Sequence, residues 1–447
     1  MIKIPRIEVM LGLLIGLSSC ESFLDPKRDQ SLVVPNTLTD VRNLLDNTSI
    51  FTRQPVMQIL ASDDFMASDA GFASMNQFEQ QVYSWSREAY PSNALDEWAN
   101  GYRKVFYANV ALDALISLDS ETDEHRELRG EALFQRSHAY YHLLQQFAPA
   151  YQKDGGNELL SGIVLKDSPD INEKAVRSSL QDSYTKVISD LEESVNLLPD
   201  SQLPKTRPTK AISYGLLARI YLSTFDFEKA AQAAERALDL YTDRLDFNQI
   251  DVNAALPFLP FGKEMVFYSE TINTDFQFNR EVFLDTLLLQ DYGEGDLRLP
   301  AYFDQVGENR YYFSGKLTGN ALPFGGLSVG ELELIASEAY ARIGNEEKSL
   351  NLLNGLLSRR IDSNVFVPVT IGGDKLIKRI LLERRKELVG RGQRWTDLRR
   401  LNQEPGLQVV INRTVNGEKL TLEPKSDIYV FLIPDSEIMA TGIEQNR

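Results

Sequence analysis

One cysteine in 447 residues excludes an intramolecular disulfide. Histidine is almost as scarce, at three. Two of these, His138 and His142, lie four apart, a spacing that suits zinc on one helix face. A metalloprotease helix carries Glu after its first His, and position 139 is Ala, so helix packing accounts for the pair and no metal is expected. Gly293-Glu294-Gly295 and Gly325-Gly326 lack the lysine of a phosphate loop and read as turns. Linkers rich in Gly, Ser or Pro are missing, as are low-complexity tracts, so composition does not divide the chain. Positive charge is short. The formal net charge is -17, and such a surface repels phosphate backbones, which argues against nucleic acid as a partner.

What is present begins at the N-terminus. Lys3 and Arg6 precede a short apolar run, Val9 to Leu17, and then small residues, Ser18 and Ser19. This is the layout of an export signal. The run is about half of the roughly 20 residues a membrane-spanning helix needs. Leu17-Ser18-Ser19-Cys20 resembles the lipobox of bacterial lipoproteins. The resemblance implies cleavage before Cys20, acylation of that cysteine and attachment to a membrane through the lipid. Glu21 to Pro26 resembles the acidic tether of lipoproteins that face the cell exterior. The expected division is a signal at 1–19, a lipidated tether at 20–35 and one body at 36–447.

Within that body, apolar spacing predicts helices over Thr39 to Asp46, Asp96 to Leu118, Asp123 to Phe147, Ser179 to Leu198, and a pair from Pro208 to Leu240. The stretch Asn47 to Pro91 reads as irregular. Asp190, Glu192 and Glu193 are expected on the wet side of their helix. The pair carries Ala218, Tyr221, Asp226, Ala230, Ala237 and Leu238, a tetratricopeptide-like pattern. Ser337, Tyr340, Asn345, Ser349, Leu356 and Leu357 repeat it 119 residues on. Between the two lies a segment rich in Phe, Tyr, Gly and Asn, with strand-like runs at Glu264 to Ser269 and Arg310 to Ser314. One long helix is expected from Asp374 to Leu401, then a hairpin at Asn416-Gly417 and an extended end. The fold class is therefore mostly α: tetratricopeptide-like helical repeats with a loop-rich ligand face and a few short strands. The N-terminal half spans about 36–245, the insertion about 246–328 and the C-terminal half about 329–447.

Three segments now carry a resemblance to a family. Gly130 to Tyr141 (GEALFQRSHAYY) is similar to an early helix of SusD/RagB nutrient-binding lipoproteins. Glu383 to Leu388 (ERRKEL) followed by Gly392 to Arg400 (GQRWTDLRR) resembles that family's C-terminal motif. Ile433 to Ile438, ending in Gln445-Asn446, resembles its closing signature. The resemblance implies capture of a nutrient at the cell surface, most often a glycan and in a minority a peptide. It also implies delivery to a SusC-like, TonB-dependent outer-membrane barrel, with no cofactor. The chain is short for the family, which implies trimmed ligand loops. The end lacks the further Pro-Gly-Tyr.

Binding fits the residues better than catalysis. Asp63-Asp64 could be imagined as glycosidase acids, but with 64 acidic residues adjacent pairs arise by chance. The charged C-terminal motif suits structural Arg–carboxylate pairing, and Trp395 and Trp98 suit the core. Sugar capture needs ring faces and a few planar polar groups. The candidates are Asp64, Phe72, Asn76, Tyr83, Trp85 and Tyr90, with Tyr292, Tyr311 and Tyr312 from the insertion; Trp85 leads. A peptide or other small nutrient is the alternative cargo. A scaffold that only holds other proteins on its repeats is the alternative role.

Overall fold

The computed structural model describes residues 35–91, 94–118 and 122–446. Cys20, the signal and almost all of the tether therefore lie outside the described residues. The N-terminal part holds α1 (Leu38–Leu45), α2 (Thr48–Phe51), α3 (Met57–Ala61), α4 (Asp69–Ser74), α5 (Gln77–Tyr83), α6 (Glu97–Leu118), α7 (Asp123–Phe147) and α8 (Leu180–Leu197). The first repeat pair is α9 (Lys210–Ser223) and α10 (Phe227–Leu240). The insertion holds α11 (Asp275–Phe278), α12 (Thr286–Asp291) and α13 (Arg298–Tyr302). The second pair is α14 (Val329–Arg342) and α15 (Glu346–Leu357), followed by α16 (Gly373–Glu387), α17 (Gln393–Leu401) and α18 (Asp435–Thr441).

The helices start where side chains can cap them. Thr37 closes a capping box on α1, and Ser179 and Ser328 cap α8 and α14. In the repeat pairs small residues bring backbones together. Ser337 donates to the Ser349 carbonyl at 2.9 Å, and Ser349 returns the bond to Ser337 at 2.8 Å. Ala218 and Ala230 occupy the corresponding seam without exposure. Sheet is minor: each sheet among the described residues has two strands. Ile411–Val415 pairs with Glu418–Leu422 around Asn416-Gly417, as the turn chemistry predicts. Met265–Phe267 and Arg310–Phe313 are strands within the two runs expected to be.

Four expectations need correcting. Asn47 to Pro91 is not irregular but folds as four short helices, α2 to α5, each too short to show a period. The long C-terminal helix breaks between Glu387 and Gln393, where Gly390 and Gly392 adopt left-handed φ of 70 and 75 degrees. The extended end contains α18. Asp190 is buried, not wet, because Arg136 reaches it with two bonds of 2.8 and 2.9 Å.

Buried ion pairs concentrate around the C-terminal motif. Arg298, fully buried, bridges Asp296 and Glu383 at 2.7 and 2.6 Å. Glu338 accepts two bonds from Arg400 at 2.6 and 2.7 Å and one from Arg342 at 2.9 Å. Although burial opposes ionisation, the charges of Arg400 and Arg342 hold the Glu338 carboxyl down at about 2. Trp395 has no exposed surface and stacks on Phe431 at 5.3 Å.

A helix leaves its last four carbonyls without partners inside the helix, and α7 is no exception. Here distant residues supply them. Arg399 donates to the carbonyls of Gln145 and Ala148. The Phe431 amide bonds the Gln146 carbonyl at 2.9 Å, and the Asn446 amide bonds that of Phe147 at 2.9 Å. A guanidinium at this end also suits the helix dipole.

Candidate functional site

The short helices α5 and α11 and the start of α6 bring their capped ends to one place. Asn76 accepts the Glu79 amide at 3.0 Å, Asp96 the Ala99 amide at 2.7 Å, and Thr274 the Gln277 amide at 3.4 Å. Between these ends opens a cavity of about 660 Å³. It runs into a second of about 330 Å³, with Leu95, Asn100, Arg103 and Asn273 lining both. Together they form one cleft at the junction of the N-terminal part and the insertion.

Its rim is planar and polar: Asn76, Gln77, Asp96, Asn100, Arg103, Asn273 and Asp275. Arg103 donates to the Asn100 side-chain oxygen, which orders both groups. Glu79 is 1% exposed; one oxygen accepts the Asp275 amide at 2.9 Å and the other has no protein partner. Burial pushes its carboxyl upward. At the inner end Lys104 donates to the Arg53 carbonyl, and burial brings its ammonium down to about 7. Glu97 beside it accepts the Val56 and Met57 amides at 2.7 and 3.2 Å, and burial brings its carboxyl up to about 7. The floor is apolar, from Phe78, Ala94, Leu95 and Ala99. Groups of this kind bond hydroxyls and amides.

Of the residues singled out in the sequence, only Asn76 lines the cleft. Tyr90 packs edge-on against Phe78 of its floor, ring centroids 5.2 Å apart. Phe72 rests on Tyr83 at 5.9 Å. Tyr83 and Trp85 are 1% and 6% exposed, and the Arg413 guanidinium lies over both rings at 4.0 and 4.5 Å. The Trp85 indole donates to the Ala61 carbonyl at 2.9 Å. Of these rings, Tyr90 backs the cleft through Phe78. Asp64 stands apart on Arg385 at 3.2 Å; burial, with Asp63 beside it, holds its carboxyl up at about 6 against that arginine. Tyr292 is buried, its hydroxyl on the Lys386 carbonyl at 2.9 Å. Tyr311 and Tyr312 sit half-buried on the strand Arg310–Phe313, with Tyr312 bonded to the Gln277 carbonyl at 3.0 Å. Asn100, Arg103 and Asn273 escaped the sequence reading, which looked for rings. The signal that could have found them is the polar set Asp96, Asn100, Arg103 at helical spacing opposite Trp98 and Tyr102.

His138 and His142 touch ring to ring, their Nε2 atoms 3.1 Å apart, and burial holds both pKa values well below the ordinary range. Among the described residues no three His, Cys, Asp or Glu side chains are placed to hold a metal. No described helix is long and apolar enough to cross a membrane.

Residues 22–222 match a SusD-like family described as starch-binding and associating with the outer membrane, and residues 329–445 match the SusD family. SusD-like protein P2 of Formosa agariphila is 23% identical over 87% of this chain and 86% of its own. A SusD superfamily protein from Bacteroides thetaiotaomicron superposes with a TM-score of 0.75 at 21% identity, over 92% of this chain and 100% of that one. A laminarin binding SusD-like protein gives 0.65 at 16% identity, over 91% and 97%. The repeats, the buried Arg–carboxylate motif and both matches agree: this chain belongs to the SusD family.

Proposed function

We propose that this protein captures an oligosaccharide in the cleft between α5, α6 and α11 and hands it to a SusC-like, TonB-dependent outer-membrane barrel. The observation that carries the reading is the rim of Asn76, Asn100, Arg103 and Asn273 around an apolar floor. Amides and a guanidinium bond sugar hydroxyls in their own plane, while an apolar floor takes the C–H face. That a structural relative binds laminarin supports a glycan. The acyl chains on Cys20 hold the body at the outer membrane, facing the exterior, and the tether lets it swing over the barrel.

A glycan array run beside a peptide library tests the cargo. Arg103→Ala and Asn100→Ala should each weaken the identified ligand about tenfold, the worth of one hydrogen bond to a charged or planar group. Binding of peptides alone would replace the glycan reading. Native extraction should recover the protein with a large outer-membrane barrel, and recovery without one would count against uptake.

A further inference from the structure

The first turns of α6 present two opposed faces. Asp96, Asn100 and Arg103 line the cleft. Trp98, Tyr102 and Phe106, four residues apart, line a separate cavity of about 520 Å³. Its other walls are the loop between Val164 and Ala175 and the face of α18 that carries Glu437 and Ala440. The Tyr102 hydroxyl is held by Val164, accepting its amide at 2.8 Å and donating to its carbonyl at 3.0 Å. Trp98 stands 4.8 Å from Tyr102, ring to ring. With that hydroxyl committed to the wall, the half-buried rings of Tyr102 and Phe106 offer carbon to the cavity. Four helical residues rise about 6 Å, so the rings step along the cavity at an interval comparable with one sugar unit. Around the mouth stand the Lys174 ammonium, the Asn172 amide, which gives one N–H to Asp170 at 3.1 Å, and the Glu437 carboxylate, which accepts a bond from Trp98. Lys166 is already paired with Glu173 at 3.4 Å.

We propose that this cavity is a second saccharide-binding pocket, set back to back with the cleft across α6. The ring ladder takes the C–H faces and the planar groups at the mouth take hydroxyls, in a volume within the roughly 300–1,000 Å³ of ligand sites. The proposal rests on the reading of the protein as a glycan binder. A chain long enough to reach both faces would be gripped twice, and multivalent capture of this kind raises apparent affinity without new contacts.

The test uses the three tryptophans as reporters. The full chain labelled with 5-fluorotryptophan gives a fluorine NMR line for each, and Trp98→Phe identifies the Trp98 line. The probes are laminarihexaose, cellohexaose, maltohexaose, xylohexaose and mannohexaose, each also followed by calorimetry. At least one should move the Trp98 line. Arg103→Ala should leave that movement intact. Phe106→Ala, and Ala440→Phe placed on the exposed rim to fill the mouth, should each weaken it about tenfold. Calorimetric binding with an unmoved Trp98 line overturns the second pocket and leaves the cleft standing. Movement that vanishes in Arg103→Ala, or survives Ala440→Phe unchanged, also overturns it. Silence of calorimetry and fluorine together across the probes overturns the glycan reading itself.

Discussion

Glu338→Gln replaces a buried carboxylate by a neutral group of the same shape. The carboxyl has no exposed surface and takes three bonds from Arg400 and Arg342. Its pKa falls from 4.5 to about 2 in the folded protein. At roughly 1.36 kcal/mol per pH unit this gap is worth about 3 kcal/mol. Because the folded value is depressed, the stabilisation is complete above the unfolded value and is lost as pH falls through the folded one. The variant should therefore be about 3 kcal/mol less stable than the parent near pH 7, with less than half of that difference left near pH 3 and almost none near pH 2. Urea unfolding of both proteins at each pH, extrapolated to water, measures it. Comparing the two cancels the other depressed carboxyls, such as Asp296, which Arg298 holds at about 2 against burial. A difference that stays constant from neutral pH to pH 3 would show that shape and not charge carries the loss, and would refute the reasoning.

Other outcomes follow from single sites. Trp395→Ala empties a fully enclosed position against Phe431 and should cost about 3–5 kcal/mol in urea unfolding. Gly326→Ala puts a Cβ onto the Phe267 carbonyl and the Phe324 ring; it should cost about 1–3 kcal/mol. Arg103→Ala, an exposed change, should leave the melting temperature within a degree or so while weakening ligand, since surface changes rarely exceed about 0.5 kcal/mol. Cys20→Ser should move the protein from the membrane fraction to the soluble fraction on cell fractionation.

Sequence periodicity revealed what was long and repeated. The helices α6, α7, α8 and both repeat pairs span three turns or more, enough for apolar residues to mark a face. The hairpin was legible because Asn416-Gly417 supplies the left-handed residues a tight turn needs. Helices of four to seven residues, such as α2 to α5, carry too few turns to show a period, and they shape the cleft. Buried charge was equally invisible. Asp190 looks like any surface acid until Arg136 is placed against it from α7, 54 residues earlier. For the site, seeking aromatic platforms in a ring-rich stretch led to Tyr83 and Trp85, which Arg413 claims from 330 and 328 positions away. The polar set on α6 was readable only by asking which face of that helix the rings leave free.

The closure of α7 has a consequence in time as well as in space. The carbonyls at its end take bonds from Arg399, Phe431 and Asn446, which lie between 251 and 299 positions further along the chain than their partners. Arg177 and Gln58 also reach the Phe147 and Gln145 carbonyls, at 3.1 and 3.4 Å, but the Gln146 carbonyl takes its bond from Phe431, and contacts so distant in sequence form slowly. A chain still being synthesised therefore leaves the end of α7 incompletely bonded. Loss of Asn446 should therefore be felt at a helix end 299 positions earlier.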